Sequence, residues 1–165
     1  MGCRHRAIQG RRGSQQHAVS HHACTVEGLS MQRDQVRAAV QAVAEYDFGR
    51  TATALFEVDR LINASHGDSD ARSWIEAELA QILESDASLA AKQEVCRRLW
   101  RIGTDASLDA LAKLLEDDDP KLVAASCYAI GRRPSARADE ALKSALRKAP
   151  QPCRAAIESL IEDRI

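Results

Sequence analysis

Apolar side chains recur at intervals of three and four residues through most of the chain, and this spacing predicts helices rather than strands. In the clearest segment, residues 88–102, Val95, Leu99 and Ile102 fall on one helical face. Similar spacing recurs between residues 31 and 165 in eight segments that short polar turns separate. Eight helices with such short turns leave no room for strands, so the pattern predicts an all-α protein.

The turns carry residues that start and stop helices. Asp119 before Pro120 is a strong start signal, because a carboxylate accepts hydrogen bonds from free N–H groups and proline fits the first helical position. Thr104 is the predicted cap of the fifth helix and Ser30 that of the first, which is predicted to end near Gly49.

Part of this pattern repeats with a period near 30 residues. At an offset of 28, Val95, Leu99, Ile102 and Gly103 align with Val123, Cys127, Ile130 and Gly131. At an offset of 31, Leu111 and Leu115 align with Leu142 and Leu146. A two-helix unit of this length is typical of a helical solenoid, in which each unit buries its apolar face against its neighbours.

At these residues the sequence resembles the HEAT-repeat family. The segment RRLWRIGTDASLDALAKLLEDDDPKLVAASCYAIG has a first helix ending in Ile-Gly, a second helix of spaced leucines and an acidic-Pro turn. Residues 86–165 carry the resemblance and are similar to HEAT segments of larger bacterial multidomain proteins. It implies a right-handed α-α superhelix of about four helical pairs, acting as a protein-binding scaffold without enzymatic activity.

Composition indicates one folded domain and an N-terminal tail. The 165 residues are 45% hydrophobic and only 4% aromatic, enough for one helical core. Residues 1–30 lack sustained periodicity, which predicts a disordered tail before a repeat domain at 31–165, with Met31 as a candidate native start. Four arginines against one glutamate make the tail +3, leaving the domain at −4.

Metal binding by the tail is a second interpretation. It contains several metal-ligating residue types, with two histidines four residues apart: Cys3, His5, His17, His21, His22 and Cys24. No CxxC pair accompanies them, so a tail without a metal is the favoured interpretation. Five cysteines without a framework spacing indicate free thiols in a reducing compartment, hence a cytoplasmic protein, and no apolar run is long enough for a membrane span.

No catalytic or cofactor-binding motif is recognisable in the chain. Cys96 and Cys127 lie on apolar helix faces, where a free cysteine usually fills the core. Cys153, in the first turn of the eighth helix, is predicted to be the most reactive thiol because the helix dipole favours a thiolate. The sequence therefore predicts no enzyme, no cofactor and no metal.

Two kinds of partner are compatible with the charged surface. In HEAT folds the second helix of each pair lines the concave surface, so the resemblance implies protein-binding candidates there: Asp109, Lys113, Glu116, Glu140, Lys143 and Arg147. Nucleic acid is the alternative, with phosphate contacts from basic residues of the fourth and sixth helices: Arg97, Arg101, Arg132 and Arg133. Mixed charge and few aromatic residues favour an unidentified protein.

The C-terminal helix raises the possibility of self-association. Ile157, Leu160 and Ile161 lie on its apolar face, whereas a terminal repeat normally has a polar outer side. This pattern predicts that the chain is part of a longer protein or that the helix pairs with another copy. A module that only spaces neighbouring domains remains an alternative to a binding scaffold.

Overall fold

The structure is a computed structural model that describes residues 26–50, 52–149 and 151–162. Within these ranges the chain forms eight α-helices, one short 3₁₀ turn (Asp105–Ser107) and no strand, which confirms the all-α prediction. The helices are α1 (Val26–Ala44), α2 (Thr53–Ala64), α3 (Ser69–Leu83), α4 (Leu89–Ile102), α5 (Leu108–Leu114), α6 (Pro120–Gly131), α7 (Ala136–Lys148) and α8 (Gln151–Glu162).

The helices form two layers. In one layer α4 packs extensively against α6, α6 packs against α8, and α2 contacts α4. The other layer is made of α1, α3, α5 and α7, each touching the next. Helices that follow one another in sequence cross between the layers, as α3 does with α4 and α5 with α6. The result is a solenoid of four helical pairs, as the repeat predicts.

The repeated apolar positions form the centre of the core. Val95 and Leu99 of α4, and their counterparts Val123 and Cys127 of α6, each expose at most 1% of their surface. One helical pair alone would leave this row in water, because it can cover only one side of the row. Burial of the repeat positions therefore depends on the stacking of neighbouring pairs.

Two of the predicted helix starts have the expected chemistry. Asp119 caps α6, with its Oδ1 accepting hydrogen bonds from the backbone N–H groups of Lys121 at 2.8 Å and Leu122 at 3.0 Å. Thr104 caps the 3₁₀ turn rather than α5 itself, since its hydroxyl accepts from Ala106 N at 3.2 Å and α5 begins only at Leu108.

The start of α1 differs from the prediction. This helix begins at Val26, so Ser30 lies inside it and cannot be its N-cap. The apolar spacing does not stop at Met31 but continues upstream through Leu29 and Val26, which explains the earlier start. The remaining tail, with its predicted disorder and possible metal ligands, lies outside the described residues.

A buried polar network joins three levels of the solenoid. Glu76 of α3 is 2% exposed, and its Oε1 accepts from the backbone N–H groups of Thr104 at 2.6 Å and Ser107 at 3.1 Å. Arg133, after α6, donates from Nη2 to Ser107 Oγ at 3.0 Å. Backbone N–H groups of the turn at 104–107 are thereby paired with a side chain of the neighbouring repeat.

The apolar face of α8 is largely covered within the chain. Ile157 is fully buried, whereas Leu160 and Ile161 are partly buried against the same core. The helix packs on α6 and α7. Self-association through α8 stays a prediction.

Candidate functional site

An open groove of about 790 Å³ runs along the solvent-facing side of the α2, α4 and α6 layer. Its floor includes Ala124 and Ala125 of α6, whose small side chains leave room between the helices. Trp100 of α4 and Tyr128 of α6 also line it, and they are 45% and 58% exposed. Large aromatic side chains beside a small-residue floor can enclose an apolar group of a ligand.

Helical spacing explains why these side chains meet. On α6, Lys121, Ala125 and Tyr128 are separated by four and three residues, which places them on one stripe of the helix. On α4 the same rule aligns Arg97 with Trp100. Trp100 and Tyr128 are 28 residues apart, so they occupy the same position in successive repeats.

Basic side chains outnumber acidic ones along the groove. Four basic residues (Arg97, Arg98, Arg101 and Lys121) and two acidic residues (Asp59 and Glu94) line it. Near its edge, Arg132 lies over the Trp100 ring, with the guanidinium carbon 5.1 Å from the ring centroid. The groove therefore has a net positive charge in a chain whose formal charge is −1.

Most of this positive charge already has an acidic partner. Arg98 is 5% exposed and donates to Asp59 Oδ2 at 2.9 Å and to Glu94 Oε2 at 2.8 Å. Arg101 donates to the other oxygen of Asp59 at 3.0 Å, and Arg97 pairs with Glu94. Asp59 thus connects α2 to two arginines of α4.

Two buried donors in the groove lack a hydrogen-bond partner in the described part of the chain. They are Nε2 of Gln93, a residue only 8% exposed, and Nε of Arg98. Buried N–H groups are normally paired, because leaving one unpaired sacrifices the hydrogen bond it would make to water. Both atoms are enclosed by protein beneath the groove, so they are not exposed to a ligand.

Three of the four residues predicted to contact phosphates lie at the surface, and their contact with phosphate stays a prediction. Arg97 and Arg101 line the groove, and Arg132 is exposed beside it. The prediction for Arg133 is wrong, because this residue is 5% exposed and points into the buried network at Ser107. Burial lowers the pKa of the Arg133 guanidinium, although the nearby Glu76 carboxylate opposes that effect.

The six residues predicted to line the concave surface are all exposed. They belong to the α5 and α7 region, which is in the layer that does not contain the groove. Three of the six form ion pairs between helices: Asp109 with Arg137 at 2.8 Å, Lys113 with Glu84 and Glu116 with Lys148. Exposed pairs of this kind contribute little to stability, so they do not prevent these side chains from exchanging partners.

The thiols lie in the core. Burial raises the pKa of both Cys96 and Cys127 to about 12, which agrees with their predicted structural role. Cys153 is 3% exposed, with its Sγ 3.7 Å from the carbonyl oxygen of Pro120, so the prediction of a reactive thiol is wrong for the folded chain. Among the described residues, no cluster of three or more His, Cys, Asp or Glu side chains could hold a metal ion.

Comparison with known families agrees with the stacked pairs. The family model for HEAT repeats matches residues 76–161, slightly more than half of the chain. The chain belongs to the HEAT-repeat family. No curated protein and no solved structure is significantly similar to it. In the described part of this HEAT-repeat chain, none of the helices has the length and apolarity required to cross a bilayer.

The groove itself was missed from the sequence, although one signal could have found part of it. The 28-residue offset that aligns the HEAT core positions also aligns Trp100 with Tyr128. Asp59 carried no such signal, because only the packing of α2 against α4 brings it to Arg98. The aromatic pair was thus detectable from the repeat, whereas the acidic partner was not.

Proposed function

We propose that the chain is a non-enzymatic protein-interaction module whose groove binds an acidic, amphipathic segment of a partner protein. The observation that carries this proposal is that the exposed Trp100 and Tyr128 line the same groove as the small Ala124 and Ala125. Trp, Tyr and Arg are the residue types that most often dominate binding energy at protein interfaces. An apolar side chain of the partner would lie between the two rings.

The unpaired charges of the groove indicate the chemistry of the partner. Lys121 and Arg132 have no acidic partner in the described part of the chain. Aspartate or glutamate side chains beside the apolar anchor would pair with them. Complementary charge would mainly set partner choice and association rate.

Nucleic acid fits this groove less well. A phosphate backbone requires several uncommitted cations in a row, but Asp59 and Glu94 already hold Arg97, Arg98 and Arg101. The exposed charges of α5 and α7 remain a second candidate surface for a protein.

The proposal can be tested with the full chain and a display library of random peptides. We expect the selected peptides to share an apolar anchor flanked by acidic residues. Trp100→Ala and Tyr128→Ala should each weaken binding about thirtyfold, because truncating a central aromatic residue removes about 2 kcal/mol. Phe56→Ala is the matched control, since Phe56 is an aromatic residue of α2 that is 71% exposed and does not line the groove.

Two results would contradict the proposal. The first is peptide binding that survives both groove substitutions but is lost on Lys143→Gln or Arg147→Gln, which would place binding on α7. The second is selective binding of oligonucleotides with a steep salt dependence that Lys121→Gln reduces.

A further inference from the structure

A second cavity, of about 280 Å³, lies where α2 and α4 end and α3 begins. Its lining consists of Ile62, Asn63, His66, Arg72, Arg101 and Ile102. None of these described lining residues carries a carboxylate, whereas two carry guanidinium groups. The polar part of the lining is therefore rich in hydrogen-bond donors, and Ile62 and Ile102 form the apolar part.

Arg72 is the lining residue whose missing hydrogen bonds indicate a ligand. In the described part of the chain its side chain makes no hydrogen bond or ion pair, and its Nε is buried. A buried guanidinium N–H without an acceptor is unfavourable, because its hydrogen bond to water has been lost without replacement. The guanidinium group as a whole lines the cavity without an acceptor among the described residues, so an anion there would supply its missing partner.

The hydrogen bonds of Arg101 leave Asn63 as a donor in the lining of the same cavity. Arg101 donates from Nη2 to Asn63 Oδ1 at 2.7 Å, which occupies the amide oxygen and leaves the amide N–H groups of Asn63 available. The other terminal nitrogen of Arg101 is held by Asp59 at 3.0 Å. This arrangement keeps the only acceptor of the Asn63 side chain turned toward Arg101.

We propose that this cavity binds a phosphate-type oxyanion. A tetrahedral oxyanion offers several acceptor oxygens, and the planar fork of a guanidinium matches two of them at once. Arg72 is the main ligand, with Asn63 and His66 completing the site. The same chemistry is shared by free phosphate and by a phosphorylated side chain, and the site does not depend on the groove having a peptide ligand.

The test is a titration of the full chain with inorganic phosphate, followed by NMR at constant pH and ionic strength. We expect saturable shifts of the backbone amides of Asn63, His66 and Arg72. Arg72→Gln should weaken binding about tenfold, because the charge-assisted pair is lost. Arg147→Gln is the matched control, since Arg147 is an exposed arginine of α7 far along the chain from the cavity.

Arg72→Lys gives an independent measurement should Arg72→Gln fail to fold. It keeps the charge but loses the fork, so we expect weaker binding than in the natural chain. Shifts that grow linearly without saturation, or equal affinity in both Arg72 variants and the natural chain, would overturn the proposal. Replacing phosphate by N-acetyl-phosphoserine amide distinguishes the sources: tighter binding indicates a phosphorylated side chain, and equal or weaker binding indicates the free ion.

Discussion

Gly103 and Gly131 occupy the same position in two repeats but are constrained by different neighbours. A Cβ on Gly103 would lie 1.9 Å from Nη2 of Arg133 and 2.5 Å from the backbone oxygen of Leu99. A Cβ on Gly131 would meet only the side chain of Leu160, 2.8 Å away. A side chain at Gly103 is therefore excluded by buried groups, whereas a side chain at Gly131 would meet only a flexible neighbour.

We therefore expect Gly103→Ala to lower the free energy of unfolding by about 2–3 kcal/mol, since a backbone atom and a buried guanidinium must both move. Gly131→Ala should change it by less than about 1 kcal/mol, because Leu160 can rotate and alanine favours the helix. Urea unfolding of the two variants and the natural chain measures the difference. Equal losses in the two variants would show that the Arg133 contact does not constrain Gly103.

At the scale of elements, Arg98 is a buried side chain that connects α2 to α4. Helix α2 contacts α1 and α4, and Arg98 of α4 donates to its Asp59 carboxylate and, at 3.1 Å, to the backbone oxygen of Leu55. The Arg98 side chain is 6% exposed, so these bonds are shielded from water. The exposed pairs between α3, α5 and α7 are weaker, because water and salt screen them.

Arg98→Met should lower the free energy of unfolding by about 3 kcal/mol, because Asp59, Glu94 and the Leu55 carbonyl oxygen all lose a donor. Arg97→Met, one residue away and 69% exposed, is the matched control and should change it by less than about 1 kcal/mol. Hydrogen exchange should report faster opening of α2 than of α6 in the Arg98 variant. Uniformly faster exchange in all helices would contradict a local role for Arg98.

At the scale of the whole molecule, the stacked core encloses thiols that resist ionisation. Burial raises the pKa of Cys96 and Cys127 from about 9 to about 12. Because the folded state keeps these protons longer than the unfolded state, their contribution to stability is fully present below pH 9. It is lost as the pH rises from 9 through 12.

The free energy of unfolding should consequently fall by about 2 kcal/mol per buried thiol between about pH 8 and about pH 10.5. The double variant Cys96→Ala, Cys127→Ala removes this part of the fall, while lysines and tyrosines still titrate in both proteins. Urea midpoints at the two pH values measure the difference between the natural chain and the variant. Parallel pH curves would show that the thiols are not kept protonated by folding.

The fold was more predictable than the groove, for a physical reason. Helix faces depend on spacing within one segment, so Val95, Leu99 and Val123 could be placed in the core from sequence alone. The burial of Arg133 could not, because it depends on Ser107 and Gly103 of another repeat. In the sequence, Arg133 is indistinguishable from its exposed neighbour Arg132. Only the structure shows that the Arg133 side chain enters the turn at Ser107.

What the sequence by itself determined is the repeat: helices, their buried stripes and, through the 28-residue offset, membership of a stacked family. These features follow from local periodicity, which is visible in any stretch of chain long enough to contain two repeat units. Only the tertiary structure decided which charged groups are free to bind. Asp59 and Arg98 lie far apart in sequence, and the distance between them is set by helix packing, so their pairing and the groove beside them exist only in the folded molecule.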